Sequence, residues 1–268
     1  MPKRFRRFRR AGRRRFQKKF KNPYPVLERV RHKYALDCPG QTVTVATERL
    51  KAFDTFSMNV LQDPMPLQDG QARYNVQPIG FDKYADIYQS YFVGDALVTM
   101  HFRRIMSASD FVGYVGFYVG AENDFGTVVT EINKYKTDEA GIGGGNALQL
   151  FQNHDGIYWR RVDITHELDK GIKMQYRFNS RNFFKGYSHV NNGTSMENYV
   201  GSYTGAAWTA PANKAYITPF MMLQYVGTET LSETYKLHCQ IEIVYDTVWT
   251  DLRDVIKIDT STHNEAIA

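Results

Sequence analysis

Apolar and polar positions alternate with a period of two along much of this chain. The longest run spans 235–245, where Tyr235, Leu237, Cys239, Ile241, Ile243 and Tyr245 are separated by Lys236, His238, Gln240 and Glu242. Successive side chains of an extended backbone point to opposite faces, so this run predicts a long strand with one face buried. Shorter runs repeat the pattern: Phe56, Met58 and Val60; Ala96, Val98, Met100 and Phe102; Val115, Phe117 and Val119; Met174, Tyr176 and Phe178. Residues 41–46 (QTVTVA) are rich in β-branched side chains, and 127–135 and 157–164 also read as strands. The apolar run 215–226 (AYITPFMMLQYV), followed by a polar turn at 227–233, predicts an antiparallel partner for the 235–245 strand. Pro219 within it predicts a bulge, a break or a sheet edge.

Helical periodicity is scarce. Residues 81–91 (FDKYADIYQSY) place Tyr84, Ile87, Tyr88 and Tyr91 on one helical face, predicting one short helix before the Gly94-Asp95 turn. About eight strands and almost no helix predict an all-β fold, an antiparallel two-sheet jelly roll. Stretches 61–80, 137–145 and 183–213 remain as long loops, which in compact domains usually carry contacts or binding.

Charge changes the picture. Of 34 Lys+Arg in the 268 residues, 12 lie in residues 1–21, a segment without a single acid. They are Lys3, Arg4, Arg6, Arg7, Arg9, Arg10, Arg13, Arg14, Arg15, Lys18, Lys19 and Lys21. The remaining 22 cations face 28 Asp+Glu, so the body carries −6 against +12 on the arm. So dense a cationic segment cannot pack into a core and is expected to be disordered without a polyanionic partner. On a single-stranded nucleic acid, twelve phosphate contacts would give a log–log salt slope of roughly −8, at about −0.7 per contact. Arginine forks onto phosphate and stacks on bases, which suits sequence-tolerant binding. Phe5, Phe8, Phe16 and Phe20 fall on one helical face, open to base stacking, to lying on an anionic membrane or to docking onto the chain's own body. A Lys/Arg run of this kind also fits a nuclear-import signal. Asn22-Pro23-Tyr24-Pro25 ends the arm, so the expected organisation is an arm at 1–21, a linker at 22–40 and the jelly-roll domain at 41–268.

Other chemistry is sparse. No apolar run reaches the roughly 18–20 residues of a membrane span, and no apolar segment follows the basic N-terminus as a secretory signal would require. Cys38 and Cys239 read as two reduced buried thiols, with one isolated disulfide as the alternative. The GIGGG run at 141–145 lacks the Lys-Ser/Thr of a phosphate loop, and Asn192-Gly193-Thr194 fits a turn better than a glycosylation site. The seven histidines are scattered, and those in strands, His101 and His238, fall out of phase with the apolar residues. His154, Asp155, Asp163, His166 and Glu167 could meet across a hairpin, but too few ligands gather for a metal. Arg103-Arg104 and Arg160-Arg161 would each straddle a strand, either as nucleic-acid contacts or as edge charge against aggregation. No catalytic constellation and no cofactor motif is present in these patterns, so the chain is not expected to be an enzyme.

Two segments carry a family resemblance: the tyrosine-rich lead into an alternating strand, YQSYFVGDALVTMHFRR within 81–104, and the strand, turn and strand of 212–254 ending YKLHCQIEIVYDTVWTDLRD. Behind an Arg-rich N-terminus, this order resembles the capsid proteins of circular single-stranded DNA viruses, the circovirus-like group, over about a third of the chain. The resemblance implies an eight-stranded jelly roll whose copies, sixty per shell, close an icosahedron around a single-stranded DNA genome held by the arm. Sixty copies would bring about 720 arm charges, comparable to the phosphates of a genome on the order of one to a few kilobases. It further implies a host attachment receptor and the nuclear import machinery as partners, no stable membrane insertion, and a location in the virion and, during assembly, the host nucleus. A single-stranded RNA virus coat protein, a non-viral nucleic-acid-binding β-sandwich and a glycan-binding or enzymatic sandwich are the competing expectations.

Overall fold

The computed structural model describes residues 27–44, 50–65, 77–106, 112–121, 153–163, 170–184, 196–223 and 234–253. They form two antiparallel sheets. The strands are β1 (Leu27–Thr44), β2 (Leu50–Ala52), β3 (Phe56–Ser57), β4 (Tyr88–Met106), β5 (Val112–Gly120), β6 (Ile157–Asp163), β7 (Ile172–Asn179), β8 (Val200–Tyr203), β9 (Trp208–Thr209), β10 (Tyr216–Leu223) and β11 (Thr234–Leu252). The first sheet runs β1-β11-β4-β8-β9, with β7 also pairing β4; the second runs β2-β10-β5-β6, with β3 also pairing β10. Taking β2 and β3 as one interrupted strand, β1-β11-β4-β7 faces β2-β10-β5-β6. The first and last of the described strands are neighbours, and the chain shuttles between the sheets. That strand order is the eight-stranded jelly roll.

The alternating runs become the strands that line the core. Ala96, Val98, Met100 and Phe102 of β4 meet Ile241, Ile243 and Tyr245 of β11 and Val115 and Phe117 of β5 in one buried cluster. β5 is buried on both faces, and it lies so close to β6 that a Cβ at Gly116 would collide with the Tyr158 carbonyl and the Phe220 ring. Only glycine fits there.

Four expectations change. First, β10 is not the hairpin partner of β11: it sits in the middle of the second sheet, between β5 and the β2/β3 pair. A strand beside β11 would share its solvent face and alternate, whereas residues 217–222 are buried without interruption. Second, Pro219 marks a break in its neighbour: β3 pairs Tyr216–Ile217 and β2 pairs Phe220–Met222. The Pro219 carbonyl accepts from the Phe53 N–H at 2.8 Å on that side, so the absent proline N–H also faces the gap. Third, α1 (Phe81–Ala85) is shorter than the predicted helix, because Tyr88 and Tyr91 join β4 and pair Leu252 and Trp249. An isolated helix this short is marginal, and the long ladder outcompetes it. Fourth, residues 27–40 of the expected linker form most of β1. Glu28 and His32 occupy inward positions there, so the period of two is masked by polar residues.

The stretch 183–213 also holds structure: α2 (Ser180–Phe183) enters it, a 3-10 turn spans Met196–Tyr199, and β8 extends the first sheet by pairing Ser90–Phe92. The strand expected at 127–135, the glycine run and residues 192–194 lie outside the described residues.

Candidate nucleic-acid interface

All twelve arm cations lie outside the described residues; the structure shows where the chain goes next. From Leu27 it enters β1, which among the described strands pairs only β11 and so forms an edge of its sheet. Alternation along β1 divides its side chains. Val30, His32, Tyr34, Leu36 and Cys38 turn inward; Arg29, Arg31, Lys33, Ala35 and Asp37 are exposed. Arg29, Arg31 and Lys33 therefore stand in one row, about 7 Å apart along the strand. Assigned to a linker, these three cations are missed by composition alone, although the RxRxK spacing is present in the sequence.

Register extends this row across the sheet. Lys33 lies opposite Val244, which is opposite Leu97 and then Arg177; Asp37 lies opposite Gln240, His101 and Lys173. Arg29, Arg31, Lys33, Arg103, Lys173 and Arg177 share this solvent face with Asp37, Asp95, Glu242 and Asp246. The Lys33 ammonium meets the Glu242 carboxylate at 2.9 Å, and the Asn179 amide donates to Asp95 at 2.8 Å. The face is cationic at its β1 and β7 margins and mixed along the middle. Arg160 and Arg161 are instead exposed on β6, at the border of the other sheet, where they fit edge charge that discourages strand addition. Arg104 turns to the opposite side of β4 from Arg103, as the straddling pattern requires.

Beneath the arm's point of entry lies an aromatic cluster that the sequence did not announce. Trp249, fully buried, contacts the rings of Phe81, Tyr84, Tyr88, Tyr91 and Trp208. His32 is buried against it, 5.7 Å between ring centroids. The Trp249 indole Nε1 donates to His32 Nε2 at 2.9 Å. An indole only donates, so His32 is neutral there and its Nδ1–H donates to the Ile79 carbonyl at 3.1 Å. Burial holds its pKa below the usual value, partly offset by the carbonyl contact. His32 is thus a satisfied core histidine, unlike the half-exposed His101 and His238.

The hydroxyls of Tyr245 and Tyr91 serve as protonated structural donors and acceptors. Tyr245 donates to the Ser57 carbonyl at 2.8 Å, and Tyr91 accepts from the Leu61 N–H and donates to Gln62. Burial pushes the Tyr34 hydroxyl up to about 12, and it raises Tyr91 and Tyr245 as well. Among the described residues no group of three or more His, Cys, Asp or Glu could hold a metal ion. No helix among them is long and apolar enough to cross a membrane.

No family model matches the chain, and no curated protein matches it. Among solved structures it is similar to that of mud crab tombus-like virus, with TM-score 0.42 and 9% identity over 94% of this chain and 95% of that one. It is also similar to the Macrobrachium rosenbergii nodavirus structure, with TM-score 0.41 and 7% identity over 86% and 59%. A third is sacbrood virus of honeybee, with TM-score 0.40 and 12% identity over 82% and 73%. The assignment of the fold rests on the strand order of the two sheets.

Proposed function

We propose that this chain is a viral capsid protein: copies of its jelly roll close an icosahedral shell, and the N-terminal arm packages a single-stranded DNA genome. The observation that carries this reading is the partition of charge along the chain. Twelve cations in 21 residues lie five residues ahead of the edge strand β1, and the rest of the chain carries a net charge of −6. A body of that sign does not collapse onto polyphosphate, while the arm neutralises it and releases counterions. Arg29, Arg31 and Lys33 continue the arm's charge onto the sheet, so the solvent face of the β1-β11-β4-β7 sheet is the side that faces the genome. The family resemblance supports DNA. The arm's chemistry is shared with single-stranded RNA coats, so the nucleic acid recovered from particles decides between them. The arm doubles as the nuclear import signal, and the loops opposite the genome side meet the attachment receptor.

Size-exclusion chromatography and electron microscopy of the purified chain test this reading. Uniform closed particles are expected, with contents destroyed by DNase; contents destroyed only by RNase would replace the genome assignment and leave the shell. A 31.0 kDa monomer at every salt and concentration would overturn the shell itself. Removing residues 1–21 is expected to empty the particles and to flatten a salt slope of roughly −8 to near zero.

A further inference from the structure

Cys38 of β1 and Cys239 of β11 are direct partners in the ladder, although 201 positions separate them in the chain. Both are free thiols, buried in the same core cluster at 1% and 0% exposure. Each thiol is the other's neighbour across the ladder, close enough for the Cys38 sulfur to help raise the pKa of Cys239. Directly opposed residues of an antiparallel pair have Cα atoms roughly 4.5–5.5 Å apart, within the roughly 4.4–6.8 Å that a disulfide spans. No movement of either strand along the ladder is needed to join them.

We propose that Cys38 and Cys239 are a latent disulfide site, oxidised by a small-molecule disulfide of the glutathione type to a bond that staples β1 to β11. One cysteine thiolate attacks a sulfur of the oxidant, forming a mixed disulfide and releasing one glutathione thiolate. The second cysteine thiolate attacks the protein sulfur of that mixed disulfide and releases the other glutathione. The protein loses two electrons and two protons; the oxidant gains them as two thiols.

The same packing that aligns the pair shields it. Burial raises the Cys239 thiol pKa, as does the neighbouring sulfur, so thiolate is scarce while the sheets are closed. Access lies at the edge. β1 has β11 as its partner, and immediately after Cys38 the register shifts: Pro39 and Gly40 oppose the single residue His238. A bulge interrupts the ladder at that point. The exchange therefore proceeds when β1 lifts or before it docks, and a bond once made is closed off from reductant in turn. Because β1 carries the arm, the staple tethers the arm to a strand that is paired on both sides. The inference rests on the register alone and holds whether or not the chain closes shells.

The test uses the full-length chain, unfolded in denaturant and refolded in oxidised and reduced glutathione. Free thiols are then alkylated under denaturing conditions, and the chain is digested and mapped by mass without reduction. A linked peptide pair containing Cys38 and Cys239 is expected, with no alkylation at either and a melting midpoint roughly 5–10 °C above the reduced chain. The folded reduced chain is expected to close the bond at least about tenfold more slowly than the refolding chain. Complete alkylation of both cysteines, or a separate glutathione on each, would overturn the site. Equal rates from folded and refolding chain would overturn gating by β1. Cys239→Ala and Cys38→Ala are expected to abolish both the linked pair and the midpoint shift, and the wild-type map decides the matter if either variant fails to fold.

Discussion

β1 and β11 lie side by side from the Leu27–Thr250 pair to the Thr44–Thr234 pair, yet they are built on different terms. β11 has a neighbour on each side, and its inward residues from Leu237 through Cys239, Ile241, Ile243 and Tyr245 are apolar and at most 1% exposed, with Thr247 the one polar residue that follows them inward before Trp249. β1 borders the sheet. It places Glu28 and His32 among its inward positions and Arg29, Arg31 and Lys33 along its outward row. A strand held from both sides owes its place to burial. An edge strand is held by its partner's ladder and can carry charge, which also deters another chain from pairing with it. In this protein the less apolar strand is the one joined to the arm, so its outward cations sit where they disturb the core least.

The steepest contrast between the strands is expected at Trp249. Its truncation to alanine removes the centre of the aromatic cluster from β11 and is expected to cost about 3–5 kcal/mol in urea unfolding. A loss below about 1 kcal/mol would mean that β11 is not the anchor described here.

On β1, His32 makes stability depend on pH. Its folded pKa lies below the ordinary 6.5, so between the two values the unfolded chain binds the extra proton. The contribution is complete above 6.5 and is lost as pH falls through 6.5 toward the folded value. Protonation would also set an N–H against the Trp249 N–H, so a loss of about 1–3 kcal/mol is expected on acidification. His32→Gln, whose amide oxygen accepts from the indole, is expected to remove part of that acid sensitivity. Urea midpoints measured across this pH range check it, and a flat wild-type profile would remove His32 from the account.

Smaller effects belong to the outer row and to a buried hydroxyl. Lys33 and Glu242 pair at 2.9 Å with side chains 53% and 40% exposed, so a double-mutant cycle is expected to return about 0.2–1 kcal/mol, shrinking with salt. The Tyr34 hydroxyl is buried without a hydrogen-bond partner among the described residues. Tyr34→Phe is expected to change stability by less than about 0.5 kcal/mol or to raise it slightly. A loss above about 1 kcal/mol would reveal a partner for that hydroxyl.

The inward residues of β4, β7 and β11 were legible in advance, because each alternates and keeps the predicted residues inward; Val115, Phe117 and Val119 of β5 are buried as well, but so is the other face of that strand. Much of the rest was hidden for definite reasons. β1 begins at Leu27 behind a pattern broken by Glu28 and His32. The Tyr84, Ile87, Tyr88, Tyr91 spacing fits a helix, yet Tyr88 and Tyr91 enter a strand whose ladder with β11 is far longer than one helical turn. Arg29, Arg31 and Lys33 could be listed from composition but not placed, since their common side follows only from β1 being a strand.

Two properties follow from residue order without reference to the fold: which side of each regular strand is apolar, and the gathering of cations ahead of an acidic body. Both are local, one set by the geometry of extended backbone and the other by covalent position. The choice of neighbours is not local. That β10 and β11 part company into opposite sheets, that Cys38 faces Cys239, and that His32 meets a tryptophan 217 positions away depend on two sheets closing over one shared core. Closure of that core selects a single register among the many that alternation alone would permit.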